Sequence, residues 1–239
     1  MVYGYDLGKN PGGYSINMTM ADEIEILNLG LSPYKETLER MERLHHLIAN
    51  KKETKEVIIL VEHPRTITLG KRNLKDDVLY SEESLQKMDI AYVKTDRGGS
   101  ATIHEPGQIV IYPLVRLLER KISVRDYVSL LEDAVINACH EFHIKANRDS
   151  INPGVWVGKN KIAAIGIRIQ NRVSKHGLAF NVNNDLSGFS TIVPCGLKTR
   201  GVTSLKNETK SNSLNHMSIG ENLCHSLCHM ILKKNKSAG

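Results

Sequence analysis

Residues 153–169 read Pro153-Gly154-Val155-Trp156-Val157-Gly158-Lys159-Asn160-Lys161-Ile162-Ala163-Ala164-Ile165-Gly166-Ile167-Arg168-Ile169. Two strand-forming runs flank Gly158-Lys159-Asn160, residue types suited to positive φ, so the stretch predicts a β-hairpin. A hairpin makes its two strands antiparallel neighbours, which a doubly wound parallel sheet does not need. Outward from it, strands and helices mix without a strict βαβ rhythm. Residues 24–29 have strand character and end at Gly30. Ser32-Pro33 offers an N-cap followed by proline at the first helical position. Tyr34, Leu38, Met41, Leu44 and Ile48 then recur at helical spacing and predict a helix over 33–49. Val57-Ile58-Ile59-Leu60-Val61 predicts a buried strand and residues 66–69 another, followed by a short helix near 81–87 and a strand at 90–94. Residues 109–114 predict a strand. Ser123 with Asp126 opens a helix carrying Leu130, Leu131, Ala134, Val135, Ala138, Cys139 and Phe142. Residues 178–182 add a strand, 183–215 read as irregular, and a last helix runs from about 218 to 233. The pattern predicts a single α+β domain over residues 23–234, a mixed β-sheet flanked by helices. Residues 1–22 read as a loose N-terminal extension and 235–239 as a tail.

The chain has 239 residues, of which 41% are hydrophobic and 24% charged. At this size roughly 70% of the surface can be buried, so a core forms without disulfides or a structural metal. The balance excludes disordered, fibrous and disulfide-stapled classes. The longest aliphatic runs are strand-length, far short of the ~20 residues that span a bilayer, which predicts no integral membrane protein. Residues 1–21 lack an apolar signal region and the first arginine is Arg40, so neither a secretory signal nor an Arg-rich presequence is expected. Four unevenly spaced cysteines, Cys139, Cys195, Cys224 and Cys228, suit a reducing compartment, and the cytoplasm is the expected location. Net charge is +6, yet the densest basic cluster, Lys233-Lys234-Asn235-Lys236, reads as a solvated end. With 12 aromatic residues (8 Tyr, 3 Phe, 1 Trp) there is little material for base stacking, so no nucleic-acid partner is expected. The charge predicts attraction to acidic proteins instead.

Four places could carry chemistry. Arg97-Gly98-Gly99-Ser100-Ala101-Thr102-Ile103-His104-Glu105-Pro106-Gly107 sets a glycine pair among polar groups, where backbone can approach a ligand closely. Lys161 follows a tight turn at the start of a strand, a position that is ordinarily an exposed edge. Cys195 sits in Val193-Pro194-Cys195-Gly196, on a bend rather than inside a regular element, unlike Cys139. Cys224-His225 and Cys228-His229 could supply two zinc ligands, with His216 as a third, but no fourth is evident. Leu223, Leu227 and Ile231 interleave with both thiols, which places them on a buried helix face. No metal is expected.

Longer motifs then point to a family. Glu62-His63-Pro64 with Thr66, Thr68-Leu69-Gly70, and Arg97-Gly98-Gly99 through Thr102, His104, Pro106-Gly107-Gln108 and Tyr112-Pro113 resemble the lipoyl(octanoyl) transferases. So do Pro153-Gly154-Val155-Trp156-Val157, Lys161-Ile162-Ala163-Ala164-Ile165-Gly166, His176-Gly177-Leu178-Ala179-Phe180-Asn181-Val182, and Pro194-Cys195-Gly196 with Thr203-Ser204-Leu205. The likeness runs in register from about residue 24 to 205. It implies the catalytic domain shared with biotin and lipoate–protein ligases, and transfer of an octanoyl group from octanoyl-acyl carrier protein to a lysine of a lipoyl domain. The acceptor would be a 2-oxoacid dehydrogenase complex or the glycine cleavage H protein. The resemblance implies no cofactor. It makes Cys195 the acyl-thioester nucleophile and Lys161 the partner that lowers its pKa and moves protons. It lines the acyl and pantetheine pocket with Arg97, Gly98, Gly99, Ser100, Ala101, Thr102, Ile103, His104, Ala164, Ile165, Gly166, Gly177, Leu178 and Ala179. Glu105 stands where the family usually has glycine, and a surface position is expected for it. The rival readings are an ATP-dependent lipoate–protein ligase, which shares a lysine like Lys161 but needs no cysteine, and a non-catalytic binder of carrier or lipoyl domains.

Overall fold

A computed structural model describes residues 16–21, 23–53, 55–72, 77–149, 152–193 and 200–236. The strands are β1 (Ile16–Ala21), β2 (Ile24–Leu31), β3 (Glu56–Glu62), β4 (Thr66–Leu69), β5 (Ala91–Lys94), β6 (Ala101–His104), β7 (Gln108–Leu114), β8 (Asn147–Arg148), β9 (Gly154–Val157), β10 (Asn160–Gln170) and β11 (Val173–Asn181). The helices are α1 (Tyr34–Ala49), α2 (Glu82–Lys87), α3 (Val124–Glu141), α4 (Leu205–Thr209) and α5 (His216–Lys236), with a 3₁₀ turn at Ser187–Thr191. Among the described residues no helix is long and apolar enough to cross a membrane.

Eight strands form one sheet in the order β1-β2-β3-β7-β11-β10-β9-β8, and three form a second in the order β5-β4-β6. Among the paired strands of the described residues only β2–β3 and β4–β5 are parallel, so the expected mixed sheet is present. The hairpin read from the sequence is β9–β10, closing on Gly158 at φ 57°. A second hairpin, β10–β11, turns on Asn171 and Arg172, both at positive φ, the geometry that follows the twist of the strands.

The large sheet is covered on both faces, which is why its central strands read as unbroken apolar runs. Ile58, Leu60, Ile109 and Ile111 face α3 and α5, meeting Leu131, Val135, Cys139, Leu223, Cys224 and Leu227. Val57, Ile59, Val61, Val110 and Leu114 face α1, meeting Met41, Leu44 and Ile48. Cys224 and Cys228 thus belong to the core, as their spacing with leucine predicts. Helix α3 begins where expected, with the Ser123 hydroxyl accepting the Asp126 N–H at 3.1 Å.

Local details depart from the sequence expectations. Proline 33, not Ser32, takes the N-cap position of α1, and the Ser32 hydroxyl accepts the Thr37 Oγ1 proton at 3.0 Å instead. Residues 16–21 of the extension pair with β2 as an edge strand. The Gly-rich stretch contains β6, antiparallel to β4 from Leu69↔Ala101 to Thr66↔His104. The irregular stretch holds the 3₁₀ turn and α4, whose N-cap hydroxyl, Ser204, accepts the Asn207 N–H.

Candidate active site

Three short stretches converge on a cavity of about 680 Å³: the Arg97–Ser100 turn with β6, the middle of β10, and the facing part of β11. The turn lies flat on β10 because Gly166 has no side chain. The Gly98 N–H donates to the Ile167 carbonyl at 2.9 Å, and a Cβ on Gly166 would sit 3.0 Å from the Gly98 carbonyl oxygen. A Cβ on Gly177 of β11 would lie 2.1 Å from the Ile111 carbonyl oxygen, so that wall too is bare backbone. On its other side the turn is laced to the chain after β4 by Gly70–Ser100, Lys71–Arg97 and Arg72–Gly99 backbone bonds of 2.9–3.2 Å. The Arg97 guanidinium is buried and holds the turn in shape: Nε and Nη2 donate to Thr68 and Nη1 donates to the Gly98 carbonyl.

Lys161 borders the same cavity. It is buried, not the exposed edge lysine that its position predicts. Its Nζ donates to the Pro153 carbonyl at 3.3 Å and lies 4.8 Å from the centre of the Trp156 ring. The Arg200 guanidinium approaches the same ring at 4.6 Å and pairs with Asp149. A backbone bridge fixes the lysine from the other side: the Lys161 N–H donates to the Gly201 carbonyl at 2.9 Å, and the Thr203 N–H donates to the Lys161 carbonyl at 2.9 Å.

A buried polar chain links this lysine to the motif histidine. Gln108 Nε2 donates to the Ile103 carbonyl and to Asn181 Oδ1, so its Oε1 faces His104 Nδ1 at 2.7 Å and requires a proton there. Asn181 Nδ2 in turn donates to the Thr203 carbonyl at 3.0 Å. The His104 ring stacks on Tyr34, with centroids 5.6 Å apart. Nearby His63 donates from Nδ1 to the Ser32 carbonyl and accepts the Tyr112 hydroxyl at Nε2. Burial pushes His63 down to about 4 and His104 well below its usual range, so both are neutral near pH 7. Burial likewise pushes Tyr34 up to about 12.

Of the residues named from the sequence, Arg97, Gly98, Gly99, Ser100, Ala101, Thr102, His104, Lys161, Ala164, Ile165, Gly166, Gly177, Leu178 and Ala179 all border the cavity. Ile103 does not: it points into the small-sheet core with Ile67, Leu69 and Leu85. Cys195 lies outside the described residues; the flanking Val193 donates its N–H to the Asp77 carbonyl, and Asp77 accepts the Ser100 hydroxyl of the turn. Glu105 is not on the surface as expected. It is 1% exposed, bonded by Asn184 Nδ2 and the Gly188 N–H, with Arg65 Nε 3.9 Å away. Its backbone is not at positive φ and its side chain does not border the cavity. Tyr34 and Val110 also line the cavity although the sequence marks them only as apolar positions of a helix and a strand.

Residues 33–227 match the model of the lipoyl protein ligase A/B catalytic domain. An octanoyltransferase of Alkaliphilus metalliredigens (strain QYMF) is 44% identical over 185 residues, 77% of this chain and 84% of that protein. A bipartite lipoate protein ligase from Thermoplasma acidophilum, solved in a study that includes its E2 lipoyl domain, superposes with a TM-score of 0.63 at 15% identity, covering 90% of this chain and 89% of that one. A biotin protein ligase from Aquifex aeolicus in complex with biotin and ATP does so at 0.53 and 10%, covering 90% and 73%.

Proposed function

The chain belongs to the lipoyl protein ligase A/B catalytic domain family, and from that premise we propose that it is an octanoyltransferase acting in protein lipoylation, which carries an octanoyl group from acyl carrier protein to a lipoyl-domain lysine through a thioester on Cys195. The observation that carries this reading is the placement of Lys161. The residue borders a largely apolar cavity, and its backbone is bonded to Gly201, six residues after Cys195.

The chemistry proceeds in two halves. A free thiol is only a few per cent thiolate at pH 7, and a nearby ammonium raises that fraction. The Cys195 thiolate attacks the thioester carbonyl of the donor, and backbone N–H groups of the Gly-rich turn are candidate donors to the oxyanion. The tetrahedral adduct collapses, expelling the pantetheine sulfur, which takes a proton from Lys161. The Lys161 amine, now neutral, accepts a proton from the incoming acceptor amine as that amine attacks the acyl-Cys195 carbonyl. Collapse forms the amide and returns the Cys195 thiolate beside a recharged Lys161. The acceptor enters this step as the neutral amine, the form of about one molecule in a few thousand at pH 7 since a lysine pKa is ordinarily about 10.4, its first proton having gone to solvent.

Intact-mass measurement after incubation with octanoyl-acyl carrier protein tests the reading. One octanoyl adduct is expected without ATP in the native protein and none in Cys195→Ala. Dependence on ATP and free acid, or full transfer by Cys195→Ala, would overturn it in favour of adenylate chemistry.

A further inference from the structure

His176 differs from its neighbours on β11. Its backbone is left-handed, φ 57°, a conformation disfavoured for any residue with a side chain. Consecutive residues of a strand point to opposite faces, yet Lys175 and His176 both reach Asp96. Lys175 Nζ lies 2.9 Å from Asp96 Oδ2, and His176 Nε2–H donates to Oδ1 at 2.9 Å. Glu42 of α1 anchors Lys175 from behind at 2.6 Å. The imidazole is 1% exposed, stands edge-on to Tyr112 and borders the cavity, while its Nδ1 is buried with no hydrogen-bond partner among the described residues. Strain and an unsatisfied polar atom together mark a ring held in place for a purpose.

The strand register gives its position along the cavity. Lys161 Nζ contacts the Pro153 carbonyl, and Gly154 pairs with Ala164, so the ammonium is level with residues 164–165. His176 pairs with Ile167, two to three residues further on. At ~3.3 Å per residue the two are offset by about 7–10 Å along the strand direction, on opposite sides of β10. Ala164, Gly166, Gly177 and Ala179 line the interval, and at Ile167 the Gly98 turn closes down on β10. An octanoyl chain has seven carbon–carbon bonds, which at ~1.2 Å of extension per bond span ~8 Å.

We propose that His176, oriented by Asp96, is the stop at the far end of the acyl channel and sets the length of acyl chain the enzyme accepts. The proposal rests on the acyl-transfer reading above. A longer chain meets a rigid polar ring and an unpaired nitrogen that gains nothing from hydrocarbon; a shorter one leaves that end of the channel unfilled.

The test is kcat/KM for saturated acyl-acyl carrier proteins from butanoyl to tetradecanoyl, with the native protein, His176→Gly and Asp96→Asn. Glycine adopts φ 57° without strain and removes the ring; asparagine at 96 leaves the ring but loosens its anchor. The native protein should lose roughly tenfold between octanoyl and dodecanoyl. His176→Gly should move the optimum to decanoyl or dodecanoyl, and Asp96→Asn should flatten the profile. An unchanged optimum in a folded His176→Gly protein overturns the proposal, and so does an unchanged profile in Asp96→Asn if the glycine variant fails to fold. Native protein that transfers no acyl group defeats the acyl-transfer reading itself, a different result from transfer with an unaltered length preference.

Discussion

Lys161 and Gly201 are joined backbone to backbone, N–H to carbonyl at 2.9 Å, and Thr203 closes the second bond of the bridge back to the Lys161 carbonyl. Residues 201–203, downstream of Cys195, are therefore tied beside the lysine, not merely near it. Gly201 is six positions beyond Cys195, at most ~20 Å of extended chain. The other end of the stretch is moored through Val193 to Asp77, and Asp77 to Ser100.

That tether makes the roles of the lysine separable by substitution. Arginine keeps the positive charge but does not give up its proton near neutral pH. Lys161→Arg should retain part of the acylation step and lose aminolysis, so that octanoyl-Cys195 accumulates in an intact-mass time course. Lys161→Ala should raise the pH at which an alkylating reagent modifies Cys195 by about one unit or more. An unshifted alkylation profile with equal loss of both steps in the arginine variant would remove the dyad.

Glu105 predicts a pH dependence of stability. Burial raises its carboxyl pKa above the ordinary value, more than the bonds from Asn184 and Gly188 lower it. The proton is therefore held more tightly in the fold, so its contribution is fully present below the ordinary carboxylate range and lost as pH rises through the raised value. Glu105→Gln, neutral at every pH, should gain melting temperature relative to the native protein as pH rises from about 4 to 7. A gain of a few degrees, the size produced by about 1 kcal/mol in a chain this long, is expected. A difference that stays flat with pH would contradict the assignment.

Asp96 behaves in the opposite sense. The His176 hydrogen bond, followed by Lys175, holds its carboxyl well below the usual range. Its stabilisation is present above the ordinary carboxylate value and fades as pH falls toward the depressed one. Asp96→Asn should cost about 2 kcal/mol near neutral pH, less than a fully buried pair because Asp96 is 35% exposed. Denaturant midpoints of the two proteins should converge between about pH 4 and 2; a constant gap would show that the carboxylate charge is not what matters.

Many residues of the motifs that line the cavity lie close together in sequence, and these were readable in advance. Strand β3, helices α1 and α3, and the β9–β10 hairpin were also readable, because burial on both faces, 3.6-residue periodicity and a glycine turn each leave a local pattern. The β10–β11 turn was not, since Arg172 at positive φ is imposed by the strands it joins and not by its own preference. Strand β6 was hidden inside the Gly-rich motif because its partner, β4, lies some thirty residues upstream. Tyr34 and Asp96 take part in the site through contacts with His104 and His176 that no spacing encodes. Glu105 departs from its expected surface position for a related reason: its partners come from residues 184 and 188, far along the chain.

The chain's +6 charge bears on encounter rather than on chemistry. An acidic donor protein should be steered to it at low salt, with kcat/KM falling several-fold as ionic strength rises from about 0.05 to 0.5 M and the Debye length shrinks well below 10 Å. A flat profile for kcat/KM with the carrier-bound donor would eliminate steering and leave the two half-reactions untouched.

Gly98, Gly166 and Gly177 present main-chain atoms to the cavity, and a methyl group on any of them would lie 2.1–3.2 Å from a neighbouring carbonyl oxygen. A molecule that fills the cavity thus meets a surface that cannot be edited by point mutation without moving β7, β10 or the turn. An inhibitor whose contacts fall on those three positions would leave the organism few routes to resistance. Variants recovered under selection should cluster instead at Val110, Ile165 and Leu178, where the wall is made of side chains.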